Sequence, residues 1–539
     1  MSEGSPETDP RAVLGEEGLR LLTQLVATAP TNLEDPGRGR WEKPHYLRTS
    51  DAIVRAARSR GLATRIYDPV VAGDVPGEWH GLPRPNVIAD LDVGAPETVL
   101  ILAHYDVVPV PAEQLGRWKS PPHTLTSRAN GRLYARGSND DLGSGVVGSL
   151  LALARLADGP KPERNVRLVA CCDEESSGEG GIEAIKHHDG LLPEGSPDRI
   201  LVGEVVLIPD AGPETIVGSS GVAFMDGSFN EPVPLRETLA YGDVLVGLHE
   251  LARTWKSPLP SPDWPDRHAP EPVITGRASL TQFDLTAPPD GPAPTRLVAA
   301  HAENDAANQI ARAMTLVFSG APEELGRLVE RLSPLVQPPY TFEPAGLTAL
   351  TVAPGHRAFQ VVGEAAHGGY PHRGHNPVPM ALHVLRAAVD RGWVDGAARA
   401  VPTFTVDLRL TPEMELEEGL RSALGFVRAG AAARAPHARI EVPAARARSG
   451  YALSPEAPVA LRLQKILAET LHSPGILGEY GGTDASAIRG LRTPSGAPLP
   501  ALVFGSMDPA ARIHDAEESV DPHLLMGVVA AIERFVRET

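Results

Sequence analysis

Apolar positions along this chain fall into two alternating rhythms. Short runs rich in Val, Ile and Leu (LATRIYDPVVA, PNVIADLDV, VLILAHYDVV and NVRLVACCD) are bounded by polar residues and predict strands, the third of them buried. Around them the spacing is helical. Leu14, Leu19, Leu22 and Leu25 predict a first helix, a second is expected near Asp51 to Arg60, and a third runs from about Gly145 to Leu156. Strand alternating with helix predicts an α/β fold. After EVVLIPDAG, another strand, the pattern changes near residue 220. Pro and Gly thicken between 258 and 295, which reads as an exposed connection or insertion. An amphipathic helix PEELGRLVERLSPLV follows, then a strand RAFQVV, a His- and Gly-rich loop, a helix, a strand PTFTVDLRLTP and a helix from PEMELEEGL onward. This stretch reads as a second, smaller domain with antiparallel pairing, containing two copies of one unit, one on each side of Phe359, though their internal similarity is faint. From about 455 the character of the first part returns, with the helix VALRLQKILAETLH, the strand LVFG and a closing helix GVVAAIERFVRE. The second domain is therefore expected to be inserted into the first.

A length of 539 residues exceeds one ordinary core and fits two or more domains. With 42% hydrophobic and 22% charged residues the composition is that of a soluble globular protein. The 50 Lys and Arg against 68 Asp and Glu give a net charge of −18, which argues against nonspecific binding to nucleic acid or to an anionic membrane. No run approaches the roughly 18 apolar residues of a membrane helix. The opening MSEGSPETDPRAVLGEEGLR has no positive n-region and no apolar h-region, so no signal peptide is expected. The two cysteines, Cys171 and Cys172, are adjacent and do not form a disulfide framework. The expected compartment is the cytoplasm.

Candidate chemistry gathers at strand ends. His104 and Asp106 lie two residues apart, so an imidazole and a carboxylate point to the same side where an α/β sheet opens its crevice. Asp140 sits in a Gly-, Ser- and Asn-rich turn before a helix, where it is equally readable as an N-cap. The strand NVRLVACCD runs straight into Glu174 and Glu175. Two carboxylates aimed at one crevice repel unless a positive charge offsets them, although two glutamates on a loop are more often simply solvated. Asp210 ends another strand before Ala and Gly, a position that turn formers also favour. His514, alone in its loop, reads as a surface residue without the others. His104, Asp106 and Asp140 together suggest a metal pocket.

Taken in order, HYDVVP, ARGSNDDLGSG, DEESSGEGG, PDAG, EAAHGGYPHRGHNP, DLRLTP, GGTDAS and IHDAEE resemble the di-zinc peptidase and deacylase family. That family includes acetylornithine deacetylase, succinyl-diaminopimelate desuccinylase and carnosinase, and the nearest likeness is to PepV-type bacterial dipeptidases. The resemblance runs from about residue 15 to the end. It implies a zinc-exopeptidase-type catalytic domain, with a mixed sheet flanked by helices, over residues 1–220 and 446–539. An inserted α+β lid domain would occupy 221–445 and carry a Pro-rich insertion at about 228–278. It also implies two Zn2+, with Co2+ or Mn2+ as substitutes. His104 and Asp210 would hold one ion, Glu175 and His514 the other, and Asp140 would bridge both. Glu174 would be the general base and Asp106 the partner that orients His104. In the lid, His367 would hydrogen-bond the scissile carbonyl, Arg409 and Asn308 would grip the substrate carboxylate, and Gly482 with Thr483 would line the pocket. The chain departs from the family at Leu142, where Lys is usual, in the segment AANQIARA around Asn308, and in the Pro-rich stretch.

The resemblance implies a dipeptidase that hydrolyses an amide bond in small peptides. An N-acyl-amino-acid deacylase shares the same chemistry, and a non-catalytic binding protein retaining the fold is the alternative of another class. A glycosidase built on Glu174 would leave the histidines unexplained. Related proteins with a short lid dimerise through it, whereas a two-unit lid mimics that dimer within one chain. A monomer is therefore expected ahead of a homodimer, with no nucleic-acid or membrane partner.

Overall fold

In the computed structural model the described residues are 9–31, 45–74, 83–110, 112–175, 178, 180–262, 272–287, 295–303, 309–345, 355–366, 368, 370–431, 438–443 and 447–538. The chain divides into two compact units. One comprises Met1–Gly218, Tyr451–Leu477 and Thr483–Thr539, the other Ser219–Gly450 and Gly478–Gly482. This division differs from the expected one by a few residues at each boundary and by the short return at 478–482. Among the described residues no helix is long and apolar enough to cross a membrane.

The first unit opens with α1 (Pro10–Val26), started by Asp9, whose carboxylate accepts the Arg11 N–H. There follow α2 (His45–Arg58), β1 (Ala63–Tyr67), α3 (Pro69–Ala72), β2 (Asn86–Leu91), β3 (Thr98–His104), α4 (Ala112–Leu115), β4 (Thr126–Ser127), β5 (Leu133–Tyr134), α5 (Gly148–Asp158), β6 (Asn165–Cys171), α6 (Ile182–Leu191), β7 (Val205–Ile208) and β8 (Thr215–Ser219). The expected strand LATRIYDPVVA stops at Tyr67. Asp68 accepts from the N–H groups of Val70 and Val71, so DPVVA becomes a capped helical turn instead. β3 lies between β6 and β7 and runs parallel to both. It is buried from Val99 to His104, as a continuous apolar run in the middle of a parallel sheet should be.

The second unit contains β9 (Gly221–Phe229), β10 (Val233–Pro234), α7 (Leu235–Ala252), β11 (Lys256–Pro260), β12 (Val273–Thr275), β13 (Arg277–Thr286), β14 (Thr295–Glu303), β15 (Ala313–Gly320), α8 (Pro322–Leu332), β16 (Thr341–Pro344), β17 (His356–Val362), α9 (Pro377–Asp390), β18 (Arg399–Leu410), α10 (Leu416–Ala431), β19 (Ala438–Glu441) and β20 (Ala447–Arg448). Its main sheet is antiparallel and runs β16-β17-β15-β14-β13-β18-β9-β19. The half β19-β9-β18-β13 has the order of a β-α-β-β-α-β unit built from β9, α7, β13, β18, α10 and β19. The half β14-β15-β17-β16 repeats that order with its last strand moved to the front, and carries α8 and α9.

One half is therefore inserted between the second and third strands of the other. Phe359 lies inside β17, so it does not divide them. The Pro-rich stretch at 228–278 also differs from expectation. Its middle is α7, which buries Leu235, Leu239, Leu245 and Leu248 in the same core as Phe283, Phe404 and Val406. The prolines only flank this helix, and β11 with β12 forms a small separate pair.

The chain then returns to the first unit with β21 (Tyr451–Ala452), α11 (Pro458–Thr470), β22 (Ile476–Glu479), α12 (Ala485–Ile488), β23 (Ala501–Val503), β24 (Ser519–Val520) and α13 (Pro522–Arg537). β23 adds in parallel beside β7, completing the order β1-β2-β6-β3-β7-β23-β8-β21, with β22 on β8. α13, capped by Asp521, packs against α1, α5 and α11. This is an α/β fold with mixed sheets.

Gly227 on β9 faces Phe404 of β18, and a Cβ there would come within 1.9 Å of the ring. Gly227→Ala is expected to destabilise the second unit by about 1–3 kcal/mol through overpacking. A lowered midpoint in denaturant unfolding, with tyrosine and tryptophan fluorescence as readout, would show it.

Candidate metal centre

Three neighbouring parallel strands bring their C-terminal ends to one place. β3 ends in His104, which is almost fully buried. Its Nε2 lies 3.2 Å from Asp140 Oδ1 and 3.8 Å from Asp210 Oδ2, the latter two residues beyond β7. Its Nδ1 lies 3.0 Å from the main-chain oxygen of Asp106 and 3.5 Å from the Asp106 carboxylate. The shorter contact is to the carbonyl, which accepts from Nδ1–H and so turns Nε2 toward the two aspartates.

The Asp106 carboxylate, beside His104, also holds the next turn. Oδ1 accepts the Glu174 N–H and Oδ2 the Glu175 N–H, both at 3.1 Å. The turn after β6 is thereby fixed to the end of β3, and with it the direction in which both glutamates leave the backbone. Glu175 reaches His514, whose Nε2 lies 3.1 Å from Oε2 and 3.2 Å from Oε1.

The two readings of Asp140 divide between neighbours. Asp141 is the cap: its carboxylate accepts from the Gly145 N–H at 2.7 Å and from the His104 N–H at 3.3 Å. Only glycine fits at 145, because a Cβ would meet Asp141 Oδ2 at 1.7 Å. Asp140 is left with both oxygens on imidazoles, Oδ1 toward His104 and Oδ2 at 2.9 Å from His514 Nε2. A carboxylate shared in this way between two imidazoles, each of which has a further carboxylate beside it, is the donor set of two adjacent cation sites. His104, Asp140 and Glu175 place ligand atoms within 4.8 Å of one another, as do His104, Asp141 and Asp210. Of the two adjacent aspartates, Asp140 is the better ligand because the oxygens of Asp141 are already bonded to amides.

Electrostatics fit a missing positive charge. Burial pushes Glu175 up to about 7, with Asp140 adding repulsion. Burial likewise raises Asp210, helped by Asp141 and Asp140. For Asp140 burial works upward too, but the hydrogen bonds from His104 and His514 outweigh it and hold the carboxyl below its ordinary range. Burial opposes charge on both imidazoles, yet the facing carboxylates raise His104 and His514 well above the ordinary histidine value. Imidazole and carboxylate donors of this kind suit zinc.

Other expected residues are placed as follows. Glu174 lies on the same turn as Glu175, partly open to solvent. Thr483 is buried, and its hydroxyl accepts from the Ala485 N–H at 3.3 Å at the start of α12. In the second unit, Gly482 lies against the Arg448 guanidinium. Arg409 is committed to Asp407, with Nε at 2.7 Å from Oδ1 and Nη2 at 2.9 Å from Oδ2, and both side chains are buried. Asp407 thus takes Nε and one hydrogen of Nη2 and leaves the edge formed by Nη1 and Nη2 with three N–H donors. His367 and Asn308 fall outside the described residues. Asp141 and Glu518 were not anticipated. Glu518 accepts from the N–H groups of Asn139 and Asp140 at 3.2 and 3.3 Å.

The chain belongs to peptidase family M20/M25/M40, which it matches over residues 100–538. It is 25% identical over 216 residues to an uncharacterized metallohydrolase of Methanocaldococcus jannaschii, covering 39% of this chain and 48% of that one. It is 38% identical over 124 residues to succinyl-diaminopimelate desuccinylase of Acidovorax ebreus, 22% of this chain and 29% of the relative. It is 32% identical over 120 residues to cysteinylglycine-S-conjugate dipeptidase of Corynebacterium striatum, 22% and 24%. In each case the chain spans less than half of the relative's length. A dipeptidase of Saccharomyces cerevisiae shares the fold with a TM-score of 0.55 at 14% identity over 98% of both chains. Human carnosine dipeptidase 1 does so at 0.54 and 13%, over 98% of this chain and 97% of the other.

Ion uptake must displace the protons that the raised pKa values keep on His104 and His514, so affinity is expected to fall as pH is lowered. Zinc titration calorimetry in buffers of different ionisation enthalpy should report proton release. Asp106→Ala removes the acceptor of two amides and should weaken zinc binding about 10–100-fold, with Asp106→Asn retaining part of it. Chelator competition measures both.

Proposed function

We propose that this protein is a dinuclear metal hydrolase that cleaves the amide bond of small peptides, most simply a cytoplasmic dipeptidase. The observation that carries it is Asp140, whose two oxygens face two different imidazoles, each with a further carboxylate. His104, Asp140 and Asp210 would hold one zinc, and Asp140, Glu175 and His514 the other. When bound, the pair would polarise the scissile carbonyl and acidify the attacking water near neutral pH.

The chain's own residues account for the remaining steps. Asp106 fixes the Glu174 main chain, so that Glu174 stands beside the ligand Glu175 on one turn. Glu174 takes a proton from the attacking water and delivers it to the departing amide nitrogen. The Asp106 carbonyl holds His104 in the tautomer that presents Nε2. In the second unit, Arg409 would meet a substrate carboxylate through its Nη1 and Nη2 edge, since Asp407 holds the edge formed by Nε and Nη2. His367 would supply a hydrogen bond to the carbonyl oxygen as negative charge develops there.

The cytoplasmic assignment rests on Cys171 and Cys172, which are both buried and unbridged, as a reducing compartment permits. The edge-to-edge pairing of β13 with β14 joins two similar halves within one chain and supports a monomer. Deacylation of N-acyl amino acids is the second candidate, favoured by the identity to the desuccinylase.

Release of amino acids from Ala-His-type dipeptides, β-Ala-His and N-acetyl amino acids by the zinc-loaded protein distinguishes these activities. Cleavage of the dipeptides is expected, and Glu174→Gln should reduce it by about 10²–10⁴-fold with both zincs retained. Turnover of the acetylated compounds alone would move the activity to deacylation. Failure to bind zinc would overturn the mechanism.

A further inference from the structure

Behind the ligand cluster, four arginines of one segment meet four carboxylates of another. Arg117 pairs with Asp515 at 2.8 Å and Arg132 with Asp508 at 2.7 and 2.8 Å. Arg128 takes both oxygens of Glu517, with Nη2 3.0 Å from Oε1, and Arg136 lies 2.7 Å from Glu518. The last pair differs from the others in being 1% exposed on either side. The acidic segment carries His514. It also holds three residues other than glycine in the left-handed region: Arg512 (φ 53°), His514 (φ 63°) and Glu517 (φ 69°). Such residues persist where the surrounding structure over-determines them.

The buried pair also closes a path between two ligands. Glu518 Oε1 accepts from the N–H groups of Asn139 and Asp140, and Oε2 takes Arg136 Nη1. Arg136 Nη2 donates to Gln114 Oε1 at 3.3 Å, and Gln114 Nε2 donates to the main-chain oxygen of His514 at 3.3 Å. One carboxylate therefore grips the backbone of Asp140 from behind, while its guanidinium partner reaches the backbone of His514 through Gln114. None of these contacts involves the side chain of Asp140 or His514, or either atom of Glu174 that would move a proton.

We propose that Arg136 and Glu518 are positioning residues that set the separation of Asp140 and His514, and through it the affinity for the second ion, the one held by Asp140, Glu175 and His514. This rests on the dinuclear site proposed above. Glu518→Gln can still accept from the two amides but turns an NH2 group toward Arg136, so the charge pair is lost while the side-chain volume is kept. Arg136→Lys keeps the charge and drops the link through Gln114.

The test is zinc titration of metal-free, full-length protein against a chromophoric chelator, with Co2+ absorption as a spectroscopic signature and the melting midpoint of the metal-free protein recorded alongside. Wild type should bind two ions. Glu518→Gln should lose about 10–100-fold in affinity for the second ion with a smaller change at the first, and Arg136→Lys should fall between. Asp90→Asn, which breaks the unrelated Arg167–Asp90 pair at 2.6 Å, should lower the midpoint without altering either affinity. Wild-type affinity for the second ion in both variants, or an equal loss at both ions, overturns the proposal and leaves the dinuclear site standing. Wild type that binds no zinc overturns the dinuclear site itself.

Discussion

Negative charge confined at the end of a sheet is the constraint on which this structure depends. Asp140, Glu175 and Asp210 converge on two imidazoles, one buried and one, that of His514, at the solvent edge. Carboxylates held this close in a medium of low dielectric repel strongly unless cations stand between them. The neighbourhood meets that demand by dividing its acids into two kinds. Asp140, Glu175 and Asp210 turn their oxygens toward the imidazoles. Asp106, Asp141 and Glu518 turn theirs toward main-chain N–H groups of Glu174, Glu175, Gly145, His104, Asn139 and Asp140. The second kind aims the first. A carboxylate accepting two amide hydrogen bonds is satisfied without a metal, so such residues serve as fixed struts in the ion-free protein as well.

The parallel strands explain why the aiming succeeds. β3, β6 and β7 run in one direction, so their C-terminal ends lie on one side of the sheet, where the crevice of an α/β fold opens. His104, the Glu174–Glu175 turn and Asp210 are each delivered within a few residues of such an end. Asp140 and His514 come from loops instead. Those two loops are joined where β5 pairs with β24, and Glu518, Arg136 and Gln114 tie them together further along.

Much of this was legible in the sequence because strand periodicity carries chemistry with it. The spacing of His104 and Asp106 predicted a common side, and the apolar run before them predicted a buried strand. The same i, i+2 signal was present at Asp407 and Arg409, where it marks an ion pair along β18 that fixes the direction of the Arg409 guanidinium. At Asp140 local sequence could not separate cap from ligand, because the answer lies in which of two adjacent aspartates faces Gly145. Adjacent Glu517 and Glu518 look like solvated charges until their partners appear. Arg136 lies 382 residues away in the chain, beyond the reach of any local pattern. The nested halves of the second unit were obscured for a related reason. Moving one strand to the front preserves the sheet order and destroys the sequence register by which a repeat is recognised.

Imidazoles that favour the protonated form offer the ion-free protein part of the positive charge its acids require. Burial works against charge on His104 and His514, yet the facing carboxylates raise both well above the ordinary histidine value. Asp140, between the two, is correspondingly held ionised, while Glu175 and Asp210, with less of that help, rise instead. Ion binding then exchanges protons for metal. Folding and ion binding remain coupled by mass action, because the unfolded chain has no such cluster. The coupling is carried by the backbone struts, whose hydrogen bonds to main-chain amides hold the donor set in place before an ion arrives.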